Sequence, residues 1–227
     1  VTRVKVVVEG PTEEAFVRSV LAEALWPSGV SLTPIVLGVP GHKGGAANYA
    51  RVKKDLLLHL KQDRTAYCST MLDFYGLGEG FPGMPLPPGL PNIAKVTRIE
   101  EAIKAEICKL IPDFRPDVRL LPYLQLHEYE GLLFSDPPAF ARALAQPQLA
   151  QTFQDVRDGF PTPEDINDNP ATAPSKCVLR VFRSYNKVLH GTIAARGVSI
   201  DAMRRECPHF RGWLAQLEAL RQNPPLQ

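Results

Sequence analysis

The sequence has little cysteine, no long apolar run and almost no net charge, and each shortage narrows the reading. Its four cysteines, Cys68, Cys108, Cys177 and Cys207, are scattered without a Cys-x-x-Cys pair. That argues for buried free thiols and against a disulfide framework. No stretch approaches the roughly 20 apolar residues of a membrane-spanning helix. There is also no signal-peptide pattern, so a cytoplasmic protein with no membrane partner is expected. With 26 Lys and Arg against 24 Asp and Glu, the net charge of +2 neither demands nor excludes nucleic acid. Local charge has to decide. Repeats and low-complexity tracts are absent. What is present is 44% hydrophobic and 22% charged residues over 227 positions. This suffices for one large domain, or a domain with an appendage. Proline is abundant instead, at 22 residues, and gathers in loops.

The chain is organised around Val6-Val7-Val8-Glu9-Gly10-Pro11-Thr12-Glu13-Glu14. Three consecutive valines predict a strand buried on both faces, as in the middle of a parallel sheet. Gly10 and Pro11 make the turn, and Thr12 is expected to cap a helix over 12–26, with Glu13 and Glu14 in its first turn. Glu9 then projects from the carboxyl end of a central strand, the edge where ligand sites form in open α/β sheets. Further strands are predicted over 32–37, 66–72 and 118–126, with helices over 48–62 and 95–110 between them. The order β-α-β-α-β-α-β predicts a mostly parallel sheet flanked by helices. Residues 74–94 form a long irregular connection, of a kind that is usually functional or mobile. Helices are predicted over 137–149, 175–189, 199–206 and 210–220, around a polar, proline-punctuated loop over 160–174. The expected division is an α/β domain over 1–145 with a helical C-terminal region over 146–227 packed on it.

Glu9 and Asp73 both end predicted strands of one sheet. As neighbours they could share a hard cation such as Mg²⁺, which takes oxygen ligands and keeps several waters. Glu13 stands at the start of the first helix, and Glu128 and Glu130 follow a third strand end. Such a set suits phosphoryl transfer, where a metal polarises a phosphate oxygen and activates water. Taken singly, a strand-end Glu is more often a solvated loop residue, Asp73 could be the start of a turn, and His127 a satisfied core histidine; three strand-end acids together weaken that reading. His42, Cys207 and His209 lack zinc-ligand spacing. The glycine-rich loop around Lys43 could bring backbone amides and a cation to a phosphate. It is not a P-loop, since no Ser or Thr follows the lysine, and it reads equally as a flexible loop with one exposed lysine. Lys176, Arg180, Arg183 and Lys187 fall at intervals of four, three and four, one stripe on the predicted 175–189 helix, and no acidic residue lies between Asn169 and Ile200. This is a phosphate-backbone surface, or else a stripe paired with acids elsewhere, such as Glu164 and Asp165.

Glu9 to Glu13 with the later Asp73 resembles the Toprim fold of topoisomerases, primases and OLD-type nucleases. The chain more closely resembles a family of prokaryotic Toprim-like proteins that includes the nuclease subunit of the PARIS anti-phage system, which works with a partner ATPase. The resemblance spans nearly the whole chain. It rests on Met71 to Leu77 with Phe81-Pro82-Gly83, Gln125 to Ser135, Pro163 to Asp168, Ala173-Pro174-Ser175-Lys176, and Cys207-Pro208-His209-Phe210 with Trp213-Leu214. It implies Glu9 as general acid/base or metal ligand and Asp73 as a metal ligand. The usual second aspartate, two residues beyond the first, is here Tyr75, so Glu128 or Glu130 is the expected substitute.

The leading expectation is a Mg²⁺- or Mn²⁺-dependent nuclease acting on DNA or structured RNA, tRNA included, in phage defence. Glu9, Asp73 and Glu130 would carry the chemistry, and Glu9, Glu13, Asp73 and Glu128 would surround the metal. Lys43, Lys176, Arg180, Arg183 and Lys187 would bind nucleic acid. The expected partners are nucleic acid, an ATPase and further copies of the chain. The competing reading is a catalytically silent binding or sensor module, favoured by Tyr75. A phosphatase or nucleotidyl-transfer enzyme on small substrates comes last, because it leaves the basic stripe without a role.

Overall fold

A computed structural model of the chain describes residues 1–38, 48–78, 80–166 and 173–222. The first strand, β1 (Thr2–Val8), lies between β2 (Val30–Val36) and β3 (Tyr67–Asp73) and runs parallel to both. Val6, Val7 and Val8 are each wholly buried, as a central strand requires. Their side chains alternate: Val4, Val6 and Val8 enter one core cluster and Val7 the other. After β1 the chain turns into α1 (Pro11–Phe16), a π-helical turn (Val17–Leu21) and α2 (Ala22–Leu25). Thr12 is not the cap it is expected to be. Pro11 takes the first helical position, and the Glu13 carboxylate accepts the Gly10 N–H at 3.0 Å instead.

Helix α3 (Tyr49–Gln62) is capped by Asn48, whose side chain accepts the Ala50 N–H at 2.9 Å. Helix α4 (Asn92–Leu110) starts earlier than its periodicity suggests. Both pack on the Val7 face, through Val52, Leu56 and Leu60 and through Val96, Ile99, Ile103 and Ile107. Arg119, only 2% exposed, ends the short helix α5 (Pro116–Arg119). Its guanidinium donates to the carbonyls of Leu60, Asp63, Ala66 and Phe114. It thereby satisfies open carbonyls at the carboxyl end of α3.

The apolar run over 118–126 is not one strand. Leu120–Leu121 (β4) and Leu124–Gln125 (β5) each pair parallel with β3, at Cys68↔Leu120 and Leu72↔Leu124. Pro122 falls between them and has no N–H for the ladder. Two hydroxyls of β3 fill the gap. Thr70 Oγ1 accepts from Tyr123 N at 2.9 Å and donates to Tyr123 O at 2.8 Å. Ser69 Oγ donates to Leu121 O at 2.5 Å and accepts from Trp213 Nε1 at 2.9 Å. The sheet order is β2-β1-β3-β4, with β5 also on β3, and every described pairing is parallel.

The rest is helical: α6 (Pro137–Ala143), α7 (Ala150–Asp158), α8 (Pro174–Val181), α9 (Lys187–Val198), α10 (Ile200–Glu206) and α11 (Pro208–Ala219). These helices share one core cluster with Val4, Val6, Val8 and α1, so apolar packing crosses residue 145 without a break. The acids of the 163–165 turn are partly spent here. Glu164, 1% exposed, accepts the N–H groups of His209 and Phe210 at 2.9 Å each and caps α11. The helix expected over 175–189 is two helices. It stops at Val181, and Asn186 starts the next one by accepting the Leu189 N–H at 2.8 Å.

The Thr70 patch makes a direct prediction. Thr70→Val keeps the shape but leaves the Tyr123 N–H and carbonyl buried without partners, which costs about 2–4 kcal/mol. Urea denaturation should show that loss, and a change within ~0.5 kcal/mol would show that the hydroxyl does not hold the strand.

Candidate functional site

The carboxyl ends of β1, β3 and β5 bring five carboxylates and one ammonium together. Glu9 follows β1 and Asp73 ends β3, whose neighbour in the ladder is Gln125. Two residues beyond Gln125, His127 takes a positive φ of 60°, a conformation uncommon outside glycine. The chain then passes into the 3₁₀ turn Tyr129–Ser135, which carries Glu130 inward. Glu130 is 1% exposed and Glu13 7% exposed, although both are ionisable. Gly76 lets the Glu9 carboxylate lie against the backbone: a Cβ there would stand 3.3 and 3.4 Å from its two oxygens.

The partners of these acids are unevenly shared. Glu13 Oε2 is held by the Gly10 N–H. Glu128 is fully engaged, accepting Ser175 N on Oε2 and Ser175 Oγ on Oε1, both at 3.0 Å. Lys187 Nζ stands 3.3 Å from Glu128 Oε1 and 3.5 Å from Glu130 Oε1. Three buried oxygens, Glu9 Oε2, Asp73 Oδ1 and Glu130 Oε1, have no hydrogen bond among the described residues, and Glu130 Oε1 faces the Lys187 ammonium. Buried polar atoms in this condition are rare in folded proteins and call for a cause.

The electrostatics follow from this geometry. Burial, then the neighbouring Glu13, raises Glu9 to about 7, against the pull of the Asp73 backbone amide and Lys187. Burial raises Glu130 to about 7 despite the Lys187 ammonium. Asp73 lies well above the usual carboxylate range, through burial and then through Glu13, Glu9, Glu130 and Glu128 in turn. Glu13 is raised by burial as well. Burial works against the Lys187 charge, but Glu130 and Glu128 outweigh it and hold the ammonium above its ordinary value. Strongly displaced groups gathered in one place are a mark of functional sites.

The sequence reading brings Glu9, Glu13, Asp73, Glu128 and Glu130 to one place, and the structure puts them there. It separates the basic residues. Lys176 and Arg180 lie exposed on α8 and Arg183 exposed in the following turn, while Lys187 opens α9 and turns into the acids. The four therefore do not form a stripe on one helix, because Asn186 starts a new helix. Lys43 lies outside the described residues, as does His42. Cys207 Sγ meets Ser135 Oγ at 3.3 Å, and His209 Nε2 meets Glu100 Oε1 at 2.9 Å while its ring stacks on Tyr123. Three contributors escape the sequence reading. Ser175 and Gly76 carry no signal beyond their place in the matching stretches, and Asn186, a capping residue three before Leu189, marks the helix start that redirects Lys187.

The donor set is all oxygen and anionic, which suits a hard cation such as Mg²⁺ or Mn²⁺. Among the described residues no three metal-ligating side chains stand in chelating geometry. Mg²⁺ does not require that, because it commonly keeps several waters and takes one or two carboxylates directly. The unpartnered oxygens of Glu9 and Asp73 supply that number.

The chain belongs to the family described as "Domain of unknown function (DUF4276)", whose model matches residues 8–218. Two solved structures of the C-terminal region of the Xanthomonas campestris pv. campestris OLD protein, one phased with iodine and one with mercury, are similar to it. Each is 17% identical with a TM-score of 0.43, and they cover 97% and 98% of this chain and 98% of their own. A likeness at that score carries no argument about chemistry. No curated protein matches the sequence.

The raised acids fix the sign of a pH effect. Glu9 binds its proton more tightly in the folded chain (about 7) than at its ordinary 4.5, so its contribution is fully present below about pH 4.5. That stability is lost as pH rises through 7. In EDTA, Glu9→Gln should therefore match the wild type near pH 4.5 and exceed it above pH 7. The gain should be about 1–2 kcal/mol after discounting for solvent screening. Thermal melts across pH check this, and a variant that is less stable above pH 7 contradicts it.

Proposed function

We propose that this DUF4276 protein is a metal-dependent nuclease that hydrolyses phosphodiester bonds in DNA or structured RNA. The observation that supports this most is the pair of buried carboxylate oxygens, Glu9 Oε2 and Asp73 Oδ1, at the carboxyl edge of a parallel sheet, neither with a hydrogen bond among the described residues. Glu9 and Asp73 would hold Mg²⁺ or Mn²⁺, with Glu13 and Glu130 lining the site. The cation, when bound, supplies Lewis-acid stabilisation of a phosphate oxygen and a more acidic water. Glu9, at about 7 in the metal-free chain, has the poise of a proton-transfer group. Gly76 keeps its carboxylate free of steric contact.

Lys176, Arg180 and Arg183 lie on α8 and the turn after it, and Ser175 of the same helix is bonded to Glu128 of the acid cluster. They are placed to take backbone phosphates of a polymer that reaches the site, which favours a nucleic acid over a small phosphate ester. The Toprim resemblance of the sequence supports the same chemistry. Its PARIS-like members give the biological form of the proposal, an anti-phage nuclease working with an ATPase. A second reading, a silent binding module, is favoured by one observation: Tyr75 is half exposed and adds no acid to the site.

Plasmid DNA and total tRNA incubated with Mg²⁺ or Mn²⁺ separate the two. The nuclease cuts at least one of them, and Glu9→Ala lowers the rate by at least ~10²-fold without changing the circular dichroism. Cleavage undiminished in Glu9→Ala removes the assignment, and no cleavage with either polymer and the ATPase present leaves the binding module.

A further inference from the structure

The acid cluster divides into two halves with different charge balance. On one side Glu128 and Glu130 already face a cation, the Lys187 ammonium at 3.3 and 3.5 Å, and Glu128 is further tied to Ser175. On the other side Glu9 Oε2 and Asp73 Oδ1 are buried and, among the described residues, have no hydrogen-bond partner. Neither acid is in ion-pair contact with the ammonium, whose charge reaches them only from farther off. Lys187 is not a wandering surface lysine. It is the first residue of α9, fixed by the Asn186 cap, and Glu128, one of the acids it pairs with, is itself pinned to the first turn of α8.

We infer that Lys187 is a built-in cation standing where a second divalent ion would otherwise bind, so that the site takes one divalent ion, on the Glu9–Asp73 side. Two divalent ions would need the Glu128 and Glu130 oxygens that the ammonium now faces. Displacing it would put a fixed positive charge beside an incoming dication. A primary ammonium has three donors and no acceptor, so it can serve both carboxylates at once while blocking a metal from both. The single-ion arrangement rests on the metal reading given above and adds to it the number of ions and the residue that sets it.

The test counts ions directly and does not depend on activity. Mn²⁺ binding to the intact chain is followed by electron paramagnetic resonance of the free ion and by calorimetry, for the wild type, Lys187→Met and Lys187→Arg. Met keeps the apolar stem but removes the charge, and Arg keeps the charge. The expected stoichiometries are one Mn²⁺ for the wild type and Lys187→Arg, and two for Lys187→Met. Adding Glu130→Gln to Lys187→Met should restore one. Two ions in the wild type, or one in a folded Lys187→Met, overturns the inference and leaves the metal reading standing. No ion in the wild type overturns both. Should Lys187→Met not fold, the wild-type and Lys187→Arg counts still decide between one ion and two.

Discussion

Five carboxylates confined to one edge of a sheet, with one ammonium among them, set the terms for this structure. Two like charges about 4 Å apart repel by ~4 kcal/mol at an effective dielectric near 20, which rivals the whole stability of many domains. The fold tolerates the cluster by three means. Burial and mutual repulsion raise Asp73, Glu9 and Glu130 above the ordinary carboxylate range, which lowers the charge the cluster has to carry. The fold ties Glu13 and Glu128 to backbone N–H groups. It brings in Lys187. The oxygens left without a hydrogen bond among the described residues, Glu9 Oε2 and Asp73 Oδ1, are where we propose that a dication binds.

The surrounding architecture makes the confinement feasible. The buried end of β1, Val6 to Val8, lies between β2 and β3 and so puts Glu9 at the middle of the sheet edge and not at its side. Ser69 and Thr70 hold the interrupted β4–β5 strand against β3, so the chain reaches Glu128 and Glu130 in register despite Pro122. The C-terminal helices serve the same edge. Trp213 bonds Ser69 from beneath the sheet, Glu164 caps α11, and His209 joins Glu100, which in turn accepts the Leu124 N–H at 2.7 Å. Helical and sheet portions are thus joined by buried hydrogen bonds as well as by a common apolar core.

Much of this was legible from residues alone, for physical reasons that can be named. Three valines followed by Glu-Gly-Pro specify a central strand and an acid at its end, since few other settings favour that run. The apolar periods of α3 and α4 located those helices to within a few residues. The failures came where a side chain competes with the pattern. Pro122 breaks a strand that hydropathy reads as continuous, and only the hydroxyls of Ser69 and Thr70, distant in sequence, show how the pairing survives. Asn186 splits a helix whose periodicity runs through it. That split changes Lys187 from one of four basic surface residues into the counter-ion of the acid cluster. The first helix stops at Val181 and the second starts at the Asn186 cap, so the orientation of Lys187 follows from the break and not from the periodicity.

The central claim is that Glu9 and Asp73 hold one divalent cation while Lys187 stays on Glu128 and Glu130. Anomalous scattering from crystals soaked in Mn²⁺ tests it most directly. The account predicts a single strong peak about 2.0–2.3 Å from a Glu9 and an Asp73 oxygen, with the Lys187 ammonium still against Glu128. A peak between Glu128 and Glu130 with Lys187 swung away, or no peak at saturating Mn²⁺, would contradict it.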